Sequence, residues 1–459
     1  MKRVLTSNRH LVRRPHNEQQ SQVKVCLREL ADKFGSTRGM DRREFLKTSS
    51  GMAATFLAMN SVYGKVFDVT ETEAADIEMA NNRAGALRQQ FIFDVETYFL
   101  RDDYPIESLG EVLKRGLIGF YPFSDPELRR NMKRDLGAEL MSFEDSVCHF
   151  HADMSFENYV RQIYLNSDTS LTVLNGIPFD NDSWEFLNNA QIAEAAEMVN
   201  MTAGQTRMLS QAVVTPGQPG WMQEVDRALA ERPPASWKLY TIGDPLSAKT
   251  KYPFWLDDEK LMYPFYEKAA KAGIVNMCVH KGLMPRDYRN SWAGVWKYQT
   301  ARDLVKAAAD WPQLNFIIYN GAFRALFDHP RASLTDFETT GRIDWCSDLA
   351  EIPAQNGATN VYAETGLAFE STAMLNPRLA TAILGIWIKG LGASNVVWGT
   401  TSVVQGSPQW QIEAMRRLEI AEDMQEKYGF APLGGADGAV KQQIFGLNSA
   451  RLYNLNVRH

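Results

Sequence analysis

Cysteine is scarce in this 459-residue chain: Cys26, Cys148, Cys278 and Cys346 stand alone, with no CxxC pair among them. Neither a disulfide framework nor a zinc knuckle is indicated. No uninterrupted apolar run reaches the ~18 residues that a helical membrane span needs, so no stable span is expected. An excess of positive charge is also missing, since 49 basic residues face 55 acidic ones for a formal net charge of -6; this balance excludes a generic nucleic-acid binder. Internal repeats and low-complexity linkers are absent. What remains is 45% hydrophobic and 23% charged, the composition of an ordinary folded protein.

Charge is unevenly spread. Residues 1–65 carry a net +8, which leaves -14 for the rest of the chain. Within the basic segment, Asp41-Arg42-Arg43-Glu44-Phe45-Leu46-Lys47 is followed by an uncharged stretch, 48–64, that is apolar at its centre. A basic head before a short uncharged run reads as a targeting signal. The arginine pair with Phe-Leu-Lys resembles the twin-arginine export motif, which implies the twin-arginine translocase as a partner in transit and a periplasmic or exported product. The alternative is an amphipathic helix with a chance Arg-Arg. Met40 immediately precedes the motif, and a start there would give a signal of ordinary length; Thr72-Glu73-Ala74-Ala75 is a candidate cleavage region.

From about residue 88 to the C-terminus, eight short β-branched or aromatic runs alternate with helix-length segments. They are 91–96, 169–178, 208–216, 236–243, 274–281, 314–321, 360–366 and 395–402. Each is mostly apolar rather than alternating, as expected for strands covered on both faces. Helices are expected over 192–203, 222–230, 261–272, 301–309, 345–355, 379–391, 412–428 and 440–447. This order predicts an α/β fold, a (β/α)8 TIM barrel over 88–459 behind an N-terminal extension and signal over 1–65. An open doubly wound sheet is the alternative, disfavoured because no glycine-rich phosphate loop follows the first strand. The interval 99–168 is expected to be a helical insertion over the barrel mouth.

Function in such a barrel collects at the C-terminal ends of the strands. Those ends carry Glu96 and Tyr98, His280 and Lys281, Asn320, Glu364, and Thr401. Five stretches, Phe93-Asp94-Val95-x-Thr97-x-Phe99, Val279-His280-Lys281-Gly282, Asn315–Tyr319, Val397-Trp398-Gly399-Thr400-x-Ser402 and Gly446-Leu447-Asn448-x-Ala450-Arg451-Leu452-Tyr453, resemble the amidohydrolase-related branch of the metal-dependent hydrolases. The resemblance implies metal-assisted hydrolysis, decarboxylation or a lyase reaction on a small organic substrate. It also implies one divalent metal, zinc foremost, bound by histidines after strands one, five and six and an aspartate after strand eight. Carried onto this chain, those positions are Glu96, Tyr98, His280, Asn320 and Thr401, so His280 and Glu96 alone are good donors and a barrel with no metal is the alternative.

Three readings therefore compete: a metal-assisted hydrolase or decarboxylase; a non-catalytic barrel binding a small molecule or partner at the same face; and metal-free acid–base catalysis by Glu96, His280 and Glu364, for which carboxylate and imidazole suffice. Glu364 is expected to pair with Lys281 or to act as an acid or base. His149 and His151 form a literal His-x-His in the insertion, read as ordinary surface or core histidines or as ligands brought in from above. The tryptophans near strand ends (292, 296, 398 and 410) are read as packing, and His329 as a loop residue.

Overall fold

The computed structural model describes residues 18–120, 148, 150–325, 328 and 330–457. His149 and His329 lie outside this set, as does much of the insertion. Eight strands follow in one sheet: β1 (Phe93–Thr97), β2 (Leu171–Leu174), β3 (Met208–Val214), β4 (Ser236–Tyr240), β5 (Asn276–His280), β6 (Asn315–Tyr319), β7 (Val361–Glu364) and β8 (Val396–Val397). Each lies parallel to the next, in sequence order. The Val95 N–H donates to the Trp398 carbonyl at 3.0 Å, and Thr97 bridges Ser402. The last strand thereby meets the first, and the sheet closes as a (β/α)8 barrel.

All eight strands fall where the sequence places them, but shorter. β8 keeps two residues because the chain turns at Gly399 and Thr400, whose amide and hydroxyl both bond Asp94 on β1. The helix expected over 345–355 is two short ones, Cys346–Ala350 and Ile352–Asn356, and Pro353 opens the second, where its missing N–H costs nothing. The stretch 412–428 breaks after Arg417, and a helix not expected from the sequence, Gly366–Leu375, follows β7.

Inside the barrel, Phe93, Val95, Val173, Cys278, Ile317, Tyr319, Tyr362 and Val397 pack together. In the insertion, Leu109 on the helix Ile106–Phe120 shares a second cluster with Tyr98, Phe99, Tyr159 and Val403, against the ends of β1 and β8.

The N-terminal segment forms a helical layer on the barrel: α1 (Glu18–Ser36), α2 (Arg42–Phe45), α3 (Ser49–Tyr63), α4 (Glu71–Ala75) and α5 (Ile77–Ala86). A capping box between Asp41 and Glu44 starts α2, and the Thr48 side chain caps α3. Being uncharged and apolar around most of its circumference, α3 needs cover on several sides. Gly51 touches the backbone of Phe45 and Leu46, where a Cβ would stand 2.3 Å from the Phe45 carbonyl oxygen. Phe56, Met59 and Tyr63, with Val66 and Phe67 beyond, belong to the main core, and the Tyr63 hydroxyl donates to the Leu375 carbonyl at 2.9 Å. Phe67 forms an antiparallel bridge with Leu418. Arg42 makes a two-pronged ion pair with Asp32 of α1, at 2.9 and 2.6 Å.

Candidate active site

At the end of β1 the Glu96 carboxylate is buried and surrounded by donors. The Tyr98 hydroxyl gives its proton to Oε1 at 2.9 Å, the Thr401 hydroxyl to Oε2 at 2.7 Å, and Lys238 Nζ stands 3.7 Å from Oε1. Lys238 comes from the middle of β4, where its side chain is fully buried. Its ammonium lies 3.3 Å above the centre of the Tyr319 ring, near enough for a cation–π contact, and among the described residues Nζ has no hydrogen-bond partner. Burial pulls the lysine down to about 8, against the opposing pull of Glu96, so it is a cation at neutral pH.

Glu364, at the end of β7, accepts the Gly366 N–H at 2.6 Å on Oε1 and the Asn320 N–H at 2.8 Å on Oε2. Burial, reinforced by the charge of Glu96, pushes it well above the ordinary carboxylate range despite those donors and the charge of Lys238. The two carboxyl groups meet because two neighbouring residues have no side chain. A Cβ on Gly366 would stand 2.7 Å from each of Glu96 Oε2, Glu364 Oε2 and Asn320 Oδ1, so any two of these oxygens are at most twice that distance apart. A Cβ on Gly399 would stand 1.9 Å from Glu364 Oε1.

His280, at the end of β5, stacks on Tyr240 with ring centres 4.6 Å apart and 14° between planes. Asn320 accepts the Leu367 N–H on Oδ1 at 2.8 Å, which turns its Nδ2 toward His280 Nδ1, 3.3 Å away. Nδ1 is therefore the acceptor, and the imidazole proton sits on Nε2. Burial, then the charges of Lys238 and Lys281, hold the ring to about 3, hence neutral. Asn320, Ala322 and Thr401 all have positive φ, between 57° and 60°. Such backbone is costly for residues with a Cβ and gathers where a site is shaped for function.

The structure thus brings together Glu96, Tyr98, His280, Asn320, Glu364 and Thr401. Lys281 is not among them. Consecutive strand residues face opposite sides, so with His280 inward Lys281 points out of the barrel, 2.8 Å from Asp303 Oδ1 and 2.8 Å from the Tyr298 carbonyl. The expected Lys281–Glu364 ion pair is replaced by a Lys281–Asp303 pair. The sequence reading also missed Lys238, Tyr240, Tyr319, Gly366 and Gly399. One signal was available, a lone lysine inside Ser236-Trp237-Lys238-Leu239-Tyr240, which otherwise reads as a buried strand.

These residues do not fit a divalent metal. Each Glu96 oxygen already has a hydroxyl donor, a buried ammonium stands beside them, and His280 presents an N–H from Nε2 where a ligand needs a lone pair. Among the described residues no three His, Cys, Asp or Glu side chains are grouped to hold a metal ion.

No protein-family profile and no curated protein matches the chain. Among solved structures it is similar to 5-carboxyvanillate decarboxylase from Sphingomonas paucimobilis, at 14% identity over 80% of this chain and 100% of that one, with a TM-score of 0.44. It is also similar to a dihydroxybenzoic acid decarboxylase from Polaromonas sp. JS666 bound to manganese and 2-nitroresorcinol (15%, 81% and 98%, TM-score 0.46). A third is 4-oxalomesaconate hydratase from Rhodopseudomonas palustris (16%, 79% and 96%, TM-score 0.42). The chemistry belongs to those proteins; the barrel assignment here rests on the closed strand order of this chain.

Proposed function

We propose that the barrel mouth is the active site of an enzyme acting on a small organic carboxylate by acid–base chemistry, with decarboxylation as the reaction. One observation carries this reading: two carboxyl groups, Glu96 and Glu364, converge at the strand ends beside the His280 imidazole N–H, and burial next to Glu96 raises Glu364 well above the ordinary carboxylate range. Glu364, raised in this way, serves as the proton donor, whereas Glu96 accepts a hydroxyl on each oxygen and has the Lys238 ammonium beside it, which makes it a poor base for activating water. Decarboxylation uses this arrangement, because the electron pair of the breaking C–C bond passes to a carbon that takes up one proton as CO2 leaves. Glu364 supplies that proton and regains one from solvent. The His280 Nε2–H stabilises negative charge developing on the substrate.

The test is CO2 release from a panel of small aromatic and aliphatic carboxylates. General acid catalysis contributes about 10²–10⁴-fold, so Glu364→Gln should lower turnover by that factor with its thermal unfolding unchanged. Undiminished turnover by that variant would overturn the assignment.

The engagement of both Glu96 oxygens by the Tyr98 and Thr401 hydroxyls favours a second reading, a non-catalytic barrel that binds a small molecule at this face; saturable binding without turnover would select it. The Arg42-Arg43 motif supports a further part of the proposal, export by the twin-arginine route. Because α3 is packed into the core, the exported form should keep it. Cell fractionation with intact-mass measurement tests both points, and a periplasmic protein beginning after residue 75 would refute retention.

A further inference from the structure

The deepest polar group of the site has a use that the acid–base pair leaves open. Lys238 has three N–H donors and, among the described residues, no hydrogen-bond partner, although its side chain is fully buried. An ammonium taken out of water without hydrogen bonds is costly. Glu96 offsets part of the charge, but at 3.7 Å it lies beyond hydrogen-bond distance, and the face of Tyr319 supplies only a quadrupole. The amine is shielded below by that ring, with the Tyr240 ring centre 5.3 Å away. Lys238 stands two residues before Tyr240 and so shares the inward side of β4 with it, with Glu96 Oε1 3.7 Å from Nζ.

We infer that Lys238 is the anion-recognition group of this barrel, and that its unspent N–H donors bind a carboxylate oxygen of a small ligand where the resemblance would put a metal ion. Binding forms no covalent bond: the carboxylate takes up the free donors and shares the ammonium with Glu96. This inference rests on the acid–base reading only in placing the ligand at the same mouth. Binding of carboxylate is measurable whether or not turnover occurs.

Calorimetric titration of the metal-free full-length protein with formate, acetate and benzoate should show saturable binding that weakens at least tenfold in Lys238→Met. Adding Mn2+ or Zn2+ should leave the wild-type affinity unchanged. Glu96→Gln removes the competing carboxylate and should tighten binding about tenfold, which keeps the test decisive should Lys238→Met fail to fold. Equal binding by Lys238→Met, unchanged affinity in Glu96→Gln, or binding that requires added metal would each overturn the inference. Should Glu364→Gln keep full turnover while Lys238→Met loses carboxylate binding, the acid assignment falls and the anion site stands.

Discussion

Two buried ionic clusters in this molecule are built on opposite terms. Where the N-terminal layer meets the barrel, Arg416 and Arg417 are buried with Glu413 and Glu73, and the half-buried Asp168 joins them. Arg416 reaches Asp168 at 2.6 Å and Glu413 at 2.8 Å, while Arg417 bonds Glu413 and reaches Glu73 at 2.7 Å. Burial alone would raise Glu413, yet Arg417 and Arg416 together hold it below the ordinary carboxylate range. At the barrel mouth the same kinds of groups are left mismatched: Glu364 without a cation of its own, Lys238 without a hydrogen bond, His280 kept neutral. A matched cluster fixes one arrangement of chain. A mismatched one keeps donors and protons available to a ligand.

The contrast is broken most forcefully at Arg417. Removing one partner of a buried pair leaves the other uncompensated, at about 3–5 kcal/mol, so Arg417→Ala should lose that much stability in urea unfolding. It should also expose the link between α3 and α5 to limited proteolysis. An effect under about 1 kcal/mol would mean the cluster does not hold the layer.

Gly399→Ala comes next. Its new methyl would stand 1.9 Å from Glu364 Oε1, and overpacking of this kind costs about 1–3 kcal/mol. Turnover should fall further than stability, since Glu364 itself must move; equal activity would show that the carboxyl position is not critical.

An effect visible only as a change of slope with pH sits behind the site at Asp94, whose partners are the Thr400 hydroxyl and the amides of Thr400 and Glu96. Burial, outweighing those hydrogen bonds, raises it from 3.8 to about 7. The folded protein thus keeps a proton that the unfolded chain releases above about pH 4, so this group's contribution to stability declines as pH rises from about 4 to 7. Relative to wild type, Asp94→Asn should gain stability across that window, by at most about 1.4 kcal/mol per pH unit. Parallel stability–pH curves would refute the shift.

The barrel was legible because each strand is a short apolar run, as in Asn276-Met277-Cys278-Val279-His280, bounded by helix-length segments. Strand ends pointed to the right loops but not to side-chain direction within them, and alternation alone separates His280 from Lys281. Lys238 escaped notice because it lies mid-strand, away from the ends where site residues were sought. The N-terminal layer was harder still. An uncharged apolar stretch such as 48–64 satisfies both an export segment and a buried helix, and only its partners, Leu375 and Leu418 among them, tell the two apart.

Those partners lie far along the chain, and this gives the bridge between Glu73 and Arg417 a consequence in time. The two residues are 344 positions apart, and synthesis runs at about 5–20 residues per second, so the first waits about 20–70 s for the second to be made. Throughout that interval α3 has no completed barrel to pack against, while Arg42 and Arg43, exposed in the finished fold, need none. The apolar side of α3 is therefore uncovered while the chain is being translated and covered once the barrel is complete, whereas the basic pair stays at the surface in both.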